Sequence, residues 1–189
     1  MIGHALWYSS RATGLVSLLL LTGTVVLGAL NTGRFSSRGW PRFAVAAIHR
    51  NLSLISVAFL AVHVTTAVID PYAGIGWLDV IVPFGSVYRP FWLGLGAVAG
   101  DLFIAVLATS LVRLRIGVRA WRVVHWAGYA CWPIAVLHGL GTAATTDRHS
   151  GWFLALDLSC VAAVTVATGW RVIAVHPDTQ ARKGKQVAP

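Results

Sequence analysis

The chain alternates long apolar runs with short polar, mostly basic connections. Apolar residues dominate Thr13–Leu30, Phe43–Ile69, Phe91–Val112, roughly Trp121–Thr142, and Trp152–Val175. Each run is continuous rather than striped, and each is near the ~20 residues a helix needs to cross a bilayer. Lipid offers no partner to backbone N–H and C=O groups, so such runs predict helices that satisfy their own backbones. The expected fold is an all-α integral membrane protein, a bundle of about five transmembrane helices with an interfacial segment between helices 2 and 3.

The breaks between runs have physical causes. Gly33, Gly39 and Pro41 interrupt Asn31–Arg42, and Arg34, Arg38 and Arg42 make it a basic turn. Helix 2 ends at Asp70, because the residue before Pro71 is pushed out of helical geometry. Pro71 to Pro90 is too apolar for a plain loop: Trp77, Leu78, Ile81 and Val82 form a helical stripe too short to span. It reads as an interfacial helix or lid, or as a cap on the bundle. Gly96 and Gly100 give helix 3 a small-residue face suited to helix packing. A second basic turn, with Arg113, Arg115, Arg119 and Arg122 around Gly117, leads into helix 4, and Ala143–Gly151 is a short link to helix 5. Residues 1–175 are expected to form one helical domain and 176–189 a basic cytoplasmic tail. The first run is read as a retained helix rather than a signal peptide, since its basic region is thin and no small-residue cleavage site follows.

Composition strengthens this picture. Of 189 residues, 57% are hydrophobic and 11% charged, with no Glu and a mean hydropathy of +0.71. The net charge of +9 does not point to nucleic acid, because the basic residues sit at segment ends rather than on a face. They set topology and contact anionic lipid instead. Arg34, Arg38, Arg42, Arg50, Arg113, Arg115, Arg119, Arg122, Arg171, Arg182, Lys183 and Lys185 fall on one side, against Arg11, Arg89 and Arg148 on the other. The positive-inside rule then puts the N-terminus outside and the tail in the cytoplasm of a bacterial cell membrane. Trp7, Trp77, Trp92 and Trp152 are expected at the outer interface, with Trp40, Trp121 and Trp170 at the inner one. Cys131 and Cys160 form neither a CxxCH nor a CxxC motif, and read as small apolar residues in helix packing.

The chemistry is carried by histidines. His49 and His63 lie on helix 2, fourteen residues apart; His125 and His138 lie on helix 4, thirteen apart. Either spacing is roughly 20 Å along a helix, most of the hydrocarbon core. A single histidine in an apolar helix is most simply a hydrogen-bonded core residue, but ionisable groups in lipid are costly and mark function. Helices 2 and 4 are separated by one antiparallel helix and run in the same direction. His49 and His125 therefore share the inner level, and His63 and His138 the outer. Two b-type haems, each held by one imidazole from each helix, fit this arrangement. The phase fits less well: on an ideal helix thirteen residues turn His138 roughly 140° from His125, and a kink at Pro133 is the expected remedy. Asp101 and Asp157 are the mid-span acids, candidates to accept from an imidazole or to meet a haem edge or quinol, or simply to pair with Ser, Thr or Arg. His4, His149 and His176 lie at span ends, in solvent.

The arrangement resembles the ferric reductase-like transmembrane domain shared by ferric reductases, NADPH oxidases and the haem-binding membrane subunit of bacterial methionine sulfoxide repair. The resemblance rests on His49-x13-His63, Ser110-Leu-Val-Arg113-Leu-Arg, Trp121-Arg122-x-x-His125-x3-Tyr129 and His138. It implies two b haems, on His49/His125 and His63/His138, and it gives Arg122 a possible role beside an inner haem propionate, the alternative being a topology charge. Ferric reductases and NADPH oxidases continue into a flavin- and nicotinamide-binding region. Here about fourteen residues follow helix 5, without a GxGxxG fingerprint. The expected function is an electron-transfer cytochrome b, an oxidoreductase component closer to the methionine sulfoxide repair subunit. Its donor is a separate flavoprotein or quinol, and its acceptor lies at the outer face. A quinol-linked cytochrome b subunit of a dehydrogenase is the redox alternative. A haem-free proton or small-solute transporter subunit is the alternative of another class.

Overall fold

The computed structural model describes residues 2–32, 41–143 and 150–173. The expected basic turn around Arg34 and Arg38, the Trp40 belt position, Arg148, His149 and the tail with His176 and its lysines lie outside the described residues. The architecture is all-α. The helices are α1 (Ile2–Thr32), α2 (Arg42–Ile69), α3 (Trp77–Ile81), α4 (Pro90–Leu111), α5 (Arg113–Ile116), α6 (Val118–His125), α7 (Ala127–Thr142) and α8 (Gly151–Ile173). Four of them, in α1, α2, α4 and α8, are long and apolar enough to cross a membrane.

Prolines and short polar side chains set the boundaries. Pro41 has an extended backbone, and its carbonyl accepts from Ala44 and Val45 to start α2. Pro90 opens α4, where its missing N–H would have had no helical partner anyway. At the far end of α2, the Asp70 carboxylate accepts from the Tyr72 N–H at 3.1 Å and turns the chain out. The interfacial stripe forms α3, started where the Gly76 N–H donates to Asp79 at 2.8 Å. Inside the long helices, hydroxyls back-bond to their own turn, as Thr22 does to the Leu18 carbonyl and Ser56 to that of Leu52. That satisfies a hydroxyl where lipid supplies no partner.

Expectation and structure part at the fourth apolar run. It is interrupted at Trp126, while α7 continues through Pro133. There the Tyr129 N–H donates to the Trp126 carbonyl three residues back, a tighter turn than the α-helix makes. The Arg171 guanidinium, from the end of α8, lies over the Trp126 ring 4.4 Å from its centre and donates to the Tyr129 hydroxyl. The break is therefore pinned by a cation–π contact and a charged hydrogen bond rather than loose. α5 adds a short helix where only a basic turn was expected.

Packing builds two hairpins. α1 packs along α2, and α4 along α7, while α1 also meets α7 and α8. The buried centre is shared by α1, α7 and α8, with Leu18, Val25, Trp132, Val136, Cys160 and Val164 in mutual contact. Trp132 reaches across it to donate to the Thr22 hydroxyl at 2.9 Å. Both cysteines are free and buried, in keeping with a packing role. Among the described residues, no comparable packing joins α2 to α6 or α7.

Candidate functional site

The histidines face each other across that gap. The ring centres of His49 and His125 are 6.3 Å apart, with planes at 69°. Those of His63 and His138 are also 6.3 Å apart, at 78°. Each pair thus takes one ring from α2 and one from the α6–α7 rod, the first with the first and the second with the second. That pairing requires α2 and α6–α7 to run in the same direction.

Three of the rings are fixed by main-chain carbonyls. The Nδ1 of His49 meets the Thr24 carbonyl at 2.9 Å, that of His63 the Ser10 carbonyl at 2.8 Å, and that of His138 the Trp92 carbonyl at 2.8 Å. A carbonyl only accepts, so each Nδ1 must carry the proton and donate it. The other nitrogen, Nε2, is then left with its lone pair. The mid-span acids are not these partners: Asp157 is buried in α8 with one oxygen unpaired, and Asp101 takes none of the three Nδ1 protons.

Close approach to those carbonyls needs glycine. A Cβ on Gly14 would stand 2.8 Å from the His63 ring, on Gly28 3.3 Å from that of His49, and on Gly96 2.6 Å from that of His138. Each glycine lies four residues beyond the accepting carbonyl, so it clears the surface over which the imidazole reaches in. The expected small-residue packing face of helix 3 is thereby split. Gly96 receives a histidine, while a Cβ on Gly100 would meet nothing within 4 Å. Sequence reasoning read Gly96 as helix packing and missed Gly14 and Gly28, although a signal was present: Gly14 and Gly28 have the same spacing as His49 and His63 on the antiparallel neighbour.

The fourth ring is different. His125 Nδ1 is buried without a partner, and the ring rests on Trp121, 4.8 Å away and tilted by 33°. Trp121 is anchored in turn, donating from its indole nitrogen to the Ser110 hydroxyl at 3.1 Å. Arg122 is exposed one turn before His125, and Arg113, Arg115 and Arg119 are exposed with it. At the other level, Arg89 donates to the Gly141 carbonyl at 2.9 Å near the end of α7.

A sequence model of the ferric reductase like transmembrane component matches residues 13–136. The chain belongs to that family. The ferric reductase-like match begins one residue before Gly14, takes in three of the four histidines, and stops two residues short of His138. It makes the chain a membrane protein of a transmembrane electron-transfer family. No curated protein matches the chain, and no solved structure does.

The donor set narrows what the gap can hold. Among the described residues, no cluster of three or more His, Cys, Asp or Glu side chains is placed to hold a bare metal ion. Two imidazoles suit a metal whose other ligands come from elsewhere, as a macrocycle provides. Metal–imidazole bonds of about 2 Å, with roughly 1.2 Å from ring centre to ring nitrogen on ordinary bond lengths, put two axial ring centres about 6.4 Å apart. Both pairs stand at that separation.

Proposed function

We infer that this chain is the haem-bearing core of a transmembrane electron conduit, with haem b held at two depths by His49 with His125 and by His63 with His138. A bound haem would supply one-electron chemistry, and two imidazoles holding its iron would favour electron transfer over oxygen binding. The residues do the rest. The carbonyls of Ser10, Thr24 and Trp92 hold the imidazoles as Nδ1–H tautomers and leave each Nε2 its lone pair. Gly14, Gly28 and Gly96 set how deeply the rings seat. The apolar walls of α2 and α7 exclude water and lower the local dielectric around the site.

The single observation that carries this reading is the repeated 6.3 Å spacing of imidazole pairs at two depths. In the proposed orientation the N-terminus is outside, and the level of His49 and His125 is cytoplasmic, beside Arg113, Arg115, Arg119 and Arg122. Arg122 is the candidate partner for an acidic haem edge there. The donor in this reading is a separate flavoprotein or a quinol, and the acceptor is met at the face of the 71–90 connection. The test is the absorbance spectrum of purified protein with pyridine haemochrome and iron analysis. Two non-covalent b haems per chain are expected. One haem would remove a pair from the assignment, and none would turn the reading toward a haem-free transporter subunit. Reduction by quinol alone, without a flavoprotein, would favour a quinol-linked subunit of a dehydrogenase.

A further inference from the structure

The two histidine levels present the same face across the gap but are backed differently. At the level of His63 and His138, both rings donate to main-chain carbonyls and both sit over glycines. At the other level only His49 does so. The end of α4 that meets α6 carries Thr109 and Ser110 and no glycine. The Thr109 hydroxyl donates to the Ala105 carbonyl at 2.7 Å, and the Ser110 hydroxyl to that of Val106 at 2.6 Å. At this depth α4 gives His125 neither a glycine seat nor a carbonyl partner. What remains for His125 is the Trp121 ring, held by its indole N–H on Ser110.

We propose that Trp121, itself held by Ser110, is the positioning residue for His125, and that the His49–His125 level consequently holds its haem less tightly than the His63–His138 level. The inference rests on the haem reading above. A stacked indole fixes the plane of a ring but not its tautomer. Carbonyl acceptors do both, keeping Nε2 unprotonated and raising its basicity toward a metal. Loss of such a partner typically lowers metal affinity 10–100-fold. The difference belongs to this chain's own side chains: three imidazoles are preset as ligands, and His125 must adopt the correct tautomer when the haem arrives.

The test is haem transfer from detergent-solubilised holoprotein to excess apomyoglobin, followed by absorbance. Two phases separated by roughly 10-fold or more are expected. The fast one should be missing in His49→Ala and the slow one missing in His63→Ala. Trp121→Leu should accelerate the fast phase alone and shift the potential of that haem alone. Trp121→Phe keeps an aromatic face but loses the indole N–H bond to Ser110, so its fast phase should fall between those of the unaltered protein and Trp121→Leu. Equal phases, a slow phase at the His49–His125 level, or acceleration of both phases by Trp121→Leu would overturn the proposal. A second readout needs no haem: in cofactor-free protein, 15N-histidine spectra should show three fixed Nδ1–H rings within the spans and a fourth of mixed tautomer. Four identical rings would also overturn it. If the protein binds no haem at all, the preceding reading fails, while the 15N pattern still decides whether His125 is set apart.

Discussion

The α1–α2 hairpin and the α4–α6–α7 hairpin do the same job with different parts. In the first, α2 is one uninterrupted helix of 28 residues, and both of its histidines are seated over glycines of α1. In the second, the histidine-bearing rod is broken at Trp126, and only one of its rings has a glycine seat. Yet the ring separations across the gap agree, at 6.3 Å in both pairs. The comparison teaches that the geometry facing the gap is the constrained quantity. The means of holding each ring from behind is free to differ, provided something holds it.

On the proposed haem reading, breaking the comparison outright takes removal of one of the four imidazoles. His49→Ala or His125→Ala should abolish one spectral and redox component, and His63→Ala or His138→Ala the other, as seen in potentiometric titration with haem counting. The imidazoles would be what secures a bound haem, so complete loss at one level is expected rather than a partial change. If His49→Ala and His138→Ala removed the same component, the pairing by depth would be wrong.

A smaller effect sharpens the role of the glycines. Gly96→Ala would force a methyl to 2.6 Å from His138, and Gly14→Ala to 2.8 Å from His63. Both should cost about 1–3 kcal/mol in thermal or denaturant stability, as overpacking does, and both should weaken haem binding at that level only. Gly100→Ala meets open space, and a helical Gly→Ala change there should be neutral or gain up to about 1 kcal/mol. Equal behaviour of Gly96→Ala and Gly100→Ala would reduce the cradle to ordinary helix packing.

The smallest expected effect concerns the exposed arginines near His125. Reduction of the haems in liposomes by an acidic flavoprotein should slow as salt rises, since exposed charges more than about 10 Å apart are screened at 0.1 M. Replacing Arg113, Arg115, Arg119 and Arg122 together with Gln should flatten that dependence. A rate that already ignores salt in the unaltered protein would take docking away from this face.

Much of this was legible in the sequence, for reasons specific to each part. Continuous apolar runs located α1, α2, α4 and α8, because lipid leaves a backbone few alternatives; Pro41, Pro71 and Pro90 marked the ends of α2 and the start of α4, while α1 begins at Ile2, ahead of the expected Thr13. The shared direction of α2 and the fourth run paired His49 with His125 and His63 with His138. The break at Trp126 was not legible, since Pro133 is the louder local signal and the residue that pins the break, Arg171, comes from the far end of α8. The carbonyl partners were invisible for a different reason: every residue carries a carbonyl, and only packing decides which one a side chain reaches. Gly14 and Gly28 lay between these extremes. Their spacing could have been matched to that of His49 and His63 once α1 and α2 were read as antiparallel neighbours.

That shared spacing bears on how the chain can vary over descent. One residue inserted between Gly14 and Gly28 would turn everything beyond it by about 100° and carry one of the two seats away from its histidine. A matching insertion between His49 and His63 on α2 would be needed at the same time to restore the match. Length change is therefore confined to the connections, and the interiors of α1 and α2 admit substitution but not slippage.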